Sequence, residues 1–295
     1  MTNAAALPAC VLACAWYDGD GCRHDMSLEE VGRRIAGQVP GFAWIGLYEP
    51  QQEILDRLQQ ALGLHPLAVE DAGKAHQRPK VEAYGDTLFV AAHPAQMEGT
   101  RTANGETPAF LGRRFLLTVR HGASLSYAPV RARLEREPEL LRAGPAMALY
   151  GMLDFIGDNY APSVDAHRDT LHALERDIFS DTYRRAIVVR LYDLKRELTN
   201  MRGSVSPLQD VLAQLVRSQA AQGQLVPEDV RLYLRDVHDH VVRINDAIDS
   251  LRDMLGTALS VNLSLVTLAR ARRSSAWAPG PRCWPRRPWS PAGTA

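Results

Sequence analysis

Cysteine is scarce, with four in 295 residues, which excludes a disulfide framework and suits a protein made in a reducing compartment. Long apolar runs are missing as well. No window approaches the ~18 to 20 consecutive apolar residues that cross a bilayer, and MTNAAALPAC at the N-terminus has no basic region ahead of an apolar stretch, so it does not read as a secretory signal. As written, the chain is expected to be soluble and cytoplasmic. Net charge is absent too, because 34 Lys and Arg balance 34 Asp and Glu. That argues against a nucleic-acid clamp, and no nucleic-acid partner is expected. There is no G-x-S-x-G, no P-loop and no dinucleotide fingerprint, so no enzyme is expected. What is present is ordinary globular composition, 46% hydrophobic and 23% charged. The length allows two domains, or one domain and a long helical part.

The zero net charge hides an asymmetry. Residues 269–295 hold six Arg, five Pro, three Trp and no acid, leaving 28 basic against 34 acidic groups in the rest. Each internal Pro removes a helical hydrogen bond, and a segment so rich in Arg and Pro has little to bury. A disordered Arg/Pro/Trp tail is expected there.

Residues 1–127 mix strand-like and helix-like stretches. ACVLACAWY (9–17), FAWIGLYE (42–49), TLFVAAH (87–93) and RFLLTVR (114–120) have strand length and composition. SLEEVGRRIAG (27–37) opens with Ser27 and places Glu30 three residues on, the pattern of a capping box. QQEILDRLQQALG (51–63) is a second amphipathic helix closed by Gly63. The fold class is therefore α+β, an α/β domain with a small sheet flanked by helices, followed by long helices over 128–268. Those helices are expected at 145–179, 183–221 and 227–270, with Pro207 kinking or interrupting the second.

The last of them carries a heptad seam. Val237, Val241, Ile244, Ile248, Leu251, Leu255, Ala258, Asn262 and Leu265 recur at alternating spacings of four and three, and the stalk from 227 to 269 would be roughly 60 Å long. Two arrangements accommodate such a seam: packing on the two preceding helices, or association with other copies.

Beside the seam run Asp236, Asp239, Asp246, Asp249 and Asp253, with Arg235, Arg243 and Arg252 interleaved. Neighbouring carboxylates on one helix suit a hard cation such as Mg²⁺, but the interleaved Arg make a salt-bridged face the simpler reading for most of them, with Asp239 and Arg243 a ready i,i+4 pair. Cys10, Cys14, Cys22 and His24 lack zinc-site spacing, and with Cys10 and Cys14 inside an apolar strand the cysteines read as buried small hydrophobes. His65, His76 and His93 lie near Glu70 and Asp71 in a loop-rich stretch without ligand spacing.

Two stretches are long and specific enough to carry a resemblance. HPLAVEDAGKAHQRPKVEAYGDTLFV (65–90) and YLRDVHDHVVRINDAIDSLRDMLGTALSVNLSLV (233–266) resemble the cytoplasmic portion of the CorA-type magnesium and cobalt transporters, over about residues 40–268. The resemblance implies a cytoplasmic α/β domain leading into long helices, the last of which continues into the bacterial inner membrane as the pore-lining helix of a homopentamer. It also implies a second membrane helix and a Gly-Met-Asn motif that selects hydrated Mg²⁺. Asp236 matches the acidic position that holds a regulatory cation, Mg²⁺ or Co²⁺, between subunits. Glu98 falls about where the partnering acid of the α/β domain is expected.

The sequence also departs from that family. Ser260 stands where some members carry an acid in the pore stalk, and neither a membrane helix nor Gly-Met-Asn is present. The tail suggests a reason. Reading its codons one nucleotide earlier forces Gly at Trp277-Ala278, Leu at Cys283-Trp284 and Ala at Trp284-Pro285, and allows Val at Trp289-Ser290 where Ser290 is a TCN codon. GC-rich choices elsewhere allow about 19 residues of membrane-helix composition, resembling the family's first membrane helix up to the Gly of Gly-Met-Asn. A frameshift, genuine or from sequencing, is expected between about Thr267 and Ser274. The sequence thus points to the regulatory part of a transporter subunit lacking its pore, with a membrane partner only if the missing helices are present. A soluble cation-responsive regulator descended from that part is the alternative.

Overall fold

The four apolar runs become strands of one mixed sheet in the computed structural model, which describes residues 7–74, 77–98, 101–122, 125–178, 185–217 and 225–275. They are β1 (Val11–Tyr17), β3 (Phe42–Tyr48), β5 (Thr87–Ala92) and β8 (Phe115–Gly122). Four further strands join them: β2 (Arg23–Asp25), β4 (Lys80–Tyr84), β6 (Ala95–Glu98) and β7 (Arg101–Gly112). The order is β2-β1-β3-β8-β7-β5-β4, with β6 hairpinned onto β7. Only β3 and β8 are parallel.

Alternation along β3 and β8 sends side chains to both faces, and both faces are covered, which is why these strands read as continuous apolar runs. Trp16, Ile45, Phe89, Phe110 and Leu117 pack beneath α1 (Leu28–Ala36), α2 (Gln52–Leu62) and α3 (Pro66–Gly73). Trp44, Leu88, Val90, Leu111 and Leu116 face the helices that follow the sheet. The capping box of α1 forms on one side, with Ser27 Oγ accepting the Glu30 N–H at 3.2 Å. Gly63 ends α2 in the left-handed region, φ 67°, where a side chain would be strained. Gly41, at φ 112°, has no alternative: a Cβ there would lie 2.1 Å from the Tyr17 carbonyl.

The helical layer comprises α4 (Ala128–Glu135), α5 (Pro138–Leu141), α6 (Pro145–Asp158), α7 (Ala161–Ile178), α8 (Arg185–Arg217) and α9 (Glu228–Ser275). The single helix expected over 145–179 is two. Pro162 is the reason, since it has no N–H to give and its ring clashes with the carbonyl four residues back. Tyr160, at the break, is buried and donates its hydroxyl to the His93 carbonyl. The opposite holds at Pro207, where the expected interruption does not occur. One backbone bond is lost there, but Met201, Val205, Leu208 and Leu212 are all buried on either side of it, and their packing outweighs a local cost of about 3 kcal/mol.

The seam of α9 packs within its own chain from Val237 to Ala258, every seam residue in that span being buried. α8 runs antiparallel to it, as the Arg202–Asp249 and Gln209–Asn245 bridges show. Beyond Ala258 the cover ends, and Leu263, Leu265 and Leu268 are exposed. Self-association through the whole seam is therefore excluded; its exposed end alone faces outward. One buried cluster runs from Trp44 through α4 to Leu255, so residue 127 marks a change of secondary structure within a shared core. α9 also continues through 269–275, where disorder was expected. Its Ala, Arg and Ser tolerate helix, and the first proline of the tail is Pro279. Residues 276–295, with the reinterpreted codons, lie outside the described residues. Among the described residues no helix is long and apolar enough to cross a membrane.

Candidate divalent-cation interface

The acids along α9 divide into two kinds. Asp249 is engaged, taking two hydrogen bonds from Arg202 and one from Arg252. Those cations, Arg202 first, hold its carboxyl below the ordinary carboxylate range. Asp239 lies 3.3 Å from His238 rather than pairing with Arg243 as expected. Asp236, by contrast, is exposed and makes no ion pair among the described residues.

Asp236 sits where α9 crosses α6. Tyr233, one turn before it, meets Tyr150 of α6 with ring centroids 5.2 Å apart. Asp154 and Asp158 follow on α6 at i and i+4. Asp154 is held by Arg133 at 2.7 Å, and Asp158 lies 3.3 Å from His240 of α9. Burial raises the Asp158 carboxyl and the Asp154 charge adds to that, against the pull of His240 and Arg133. Tyr150 is raised by burial, then by Asp154, with Asp236 contributing. Of the three acids on the α6–α9 surface, Asp236 is thus the one without an ion-pair partner among the described residues, and a carboxylate is the kind of ligand that a hard cation takes. One copy supplies too little on its own. Among the described residues no three His, Cys, Asp or Glu side chains converge closely enough to hold a metal ion.

Glu98 ends β6, opposite Arg101 in the β6–β7 hairpin; its side chain lies outside the description. The remaining candidates do not converge on a metal site among the described residues. Cys14 is buried, its thiol pushed up to about 12 by burial, whereas Cys22 is exposed and His24 pairs with Asp18 at 2.8 Å. His65 caps α3, its Nδ1 accepting the Leu67 N–H at 3.3 Å, and His93 bonds the Gln77 carbonyl at 2.6 Å. His76 lies outside the described residues.

With this geometry in place, the match to a family decides identity. The family model described as CorA-like Mg2+ transporter protein matches residues 40–272. The chain belongs to this family. It is 28% identical over 211 residues to the putative metal ion transporter YfjQ of Bacillus subtilis, covering 72% of this chain and 64% of that protein. It is also 28% identical over 218 residues to the cobalt/magnesium transport protein CorA of Thermotoga maritima, covering 73% and 61%. The chain therefore spans just under two thirds of the length of these curated relatives. The soluble domain of CorA from Methanocaldococcus jannaschii superposes with TM-score 0.66 at 21% identity, over 86% of this chain and 98% of that one. The full-length CmaX protein gives 0.74 at 17%, over 90% and 80%. These likenesses establish the fold. The CorA family is one of transporters, not of enzymes.

Sequence reasoning missed Asp154 and Asp158. They stand in PAMALYGMLDFIGD, a helix apolar enough to read as core throughout. The signal was there in the i,i+4 spacing of two acids in an otherwise buried helix.

Proposed function

We propose that this chain is the cytoplasmic, cation-sensing part of a CorA-type divalent-cation transporter. In it Mg²⁺, or Co²⁺, is shared between Asp236 of one copy and an acid of the next, Glu98, in a homopentamer at the bacterial inner membrane. The observation that carries this reading is Asp236, exposed and unpaired beside acids whose charges are already answered. Without the ion, two carboxylates a few ångströms apart would repel by on the order of 4 kcal/mol at an effective dielectric near 20, so depletion would loosen the assembly. Bound cation would act as a closing signal. The transport step itself needs parts beyond the residues described. A soluble cation-responsive regulator would use the same interface without transport.

Sedimentation of the purified chain with and without millimolar Mg²⁺ tests the reading. Association that rises with Mg²⁺ and vanishes in Asp236→Asn, but survives in Asp249→Asn, is the expected result. No Mg²⁺ effect in the parent, or equal loss in both variants, would overturn it.

A further inference from the structure

A second site lies on the other side of the molecule's chemistry. On the helical face of the sheet, β1, β3 and β8 present Ala13, Gly46 and Thr118 side by side. These residues are too small to reach α4, and a cavity of about 320 Å³ remains between them and the helix. Its walls are cationic. Arg120 of β8 and Arg131 of α4 both line it, and each is more than nine-tenths buried, at 9% and 7% exposure.

Buried guanidinium groups normally face carboxylates, since an uncompensated buried charge is costly. Neither does here. Arg131 donates to the Tyr17 hydroxyl at 3.0 Å and to the Trp44 carbonyl at 3.4 Å, and lies 4.2 Å over the Trp44 ring. Arg120 donates to the Leu125 carbonyl at 2.6 Å and stacks against Tyr48 and Tyr127. Neutral partners and π-faces hold both groups in place and leave N–H donors of each without an acceptor among the described residues. Among the described residues Glu135 is the one carboxylate lining the cavity, and it already accepts from the Tyr17 hydroxyl at 2.6 Å and from Arg23 at 3.3 Å. Burial pulls both Arg120 and Arg131 below the ordinary guanidinium value, the direction that a bound anion would reverse. The first turn of α4 also opens onto the cavity, adding the positive end of a helix dipole.

We propose that this cavity is a binding site for a small phosphate monoester. Two guanidinium groups on different walls favour a tetrahedral oxyanion, which offers oxygens in several directions, over a planar carboxylate that one fork satisfies. The volume exceeds what inorganic phosphate needs and leaves room for a small organic group against Trp44 and Tyr127. The site rests on the α/β domain and its junction with α4, and is independent of the cation reading.

The test is calorimetric titration of the full chain, in chelator and at constant ionic strength, with inorganic phosphate, ribose 5-phosphate, ribose and acetate. Saturable binding of both phosphates is expected, tighter for ribose 5-phosphate, with ribose and acetate at least tenfold weaker. Arg120→Gln should weaken phosphate binding at least tenfold. Gly46→Val fills the cavity from its floor, since a Cβ at Gly46 meets only Thr118 Oγ1 at 3.7 Å, and should abolish ribose 5-phosphate binding while the free protein melts within a few degrees of the parent. The proposal is overturned if neither phosphate binds the parent, if acetate binds as well as phosphate, or if both variants, folded, bind unchanged.

Discussion

Arg202 holds Asp249 with two hydrogen bonds from one guanidinium, Nε to Oδ1 at 2.6 Å and Nη2 to Oδ2 at 3.1 Å. The pair ties α8 to α9 across 47 residues of sequence, and it separates an architectural acid from a candidate ligand on the same helix. Both side chains are about two-fifths exposed, so solvent screens them and Asp249→Asn should cost only about 0.5–1 kcal/mol. Urea denaturation at neutral pH checks that figure. Because the folded carboxyl is held low, its contribution is present above the unfolded value near 4 and fades as pH falls through the folded one. A loss well above 2 kcal/mol would mean that the pair is far better shielded than its exposure implies.

The heptad seam makes two contrasting predictions. Ile248 is fully buried, so Ile248→Ala should destabilise the chain by roughly 2–5 kcal/mol through lost burial and a residual cavity. Leu265 is 39% exposed, so Leu265→Ser should change stability by less than about 0.5 kcal/mol. If the outward end of α9 meets other copies, that same substitution should lower the association constant in sedimentation. Equal effects of the two substitutions on stability would contradict the burial boundary at Ala258.

Thiol reactivity offers an independent check on the N-terminal strand. Cys14 in β1 is buried with its thiol raised to about 12, whereas Cys22 is exposed. Since the thiolate is the reactive form, alkylation at pH 8 followed by peptide mapping should label Cys22 in minutes and Cys14 only on unfolding. Rapid labelling of Cys14 in the native protein would place β1 outside the core.

Local chemistry was the legible part of this fold. Ser27 and Glu30, Gly63, and four strands dense in aromatic and aliphatic residues all sit where their residue types require. The strands that escaped notice lack that density: β2 is RHD, β4 is KVEAY, and β7 carries Asn104, Glu106 and Pro108 although it lies inside the sheet between β8 and β5. Their pairing comes from neighbours, not from their own propensity. The same competition explains the two prolines. Pro162 stands where α6 hands over to α7 and breaks the chain, while Pro207 lies between residues buried on both sides and does not. Of the candidate site, Asp236 was legible only through family resemblance, since periodicity alone makes it one of five similar acids. The cavity under α4 was not legible at all, because it depends on β1, β3 and β8 aligning three small residues in space.

The pH dependence of stability should carry the signature of one histidine. His167 of α7 is buried, with Nε2 lacking a hydrogen-bond partner among the described residues. Burial pulls it below the ordinary histidine value, and Glu197 of α8 only partly opposes this. A folded value below the unfolded one means that the unfolded chain binds the proton more readily as pH drops. The contribution of neutral His167 is therefore fully present above about pH 6.5 and is lost as pH falls through the unfolded value toward the folded one, by at most about 1.4 kcal/mol per pH unit for one proton. Carboxylates held low, such as Glu49, Glu82 and Asp249, contribute in a separate window below about pH 4.5. Urea midpoints measured from pH 8 to pH 5 should thus fall below pH 6.5 in the parent and stay nearly level in His167→Gln, which cannot titrate. Parallel curves for the two proteins would show that His167 is solvated or paired in solution, and that the α7–α8 interface is looser than its burial indicates.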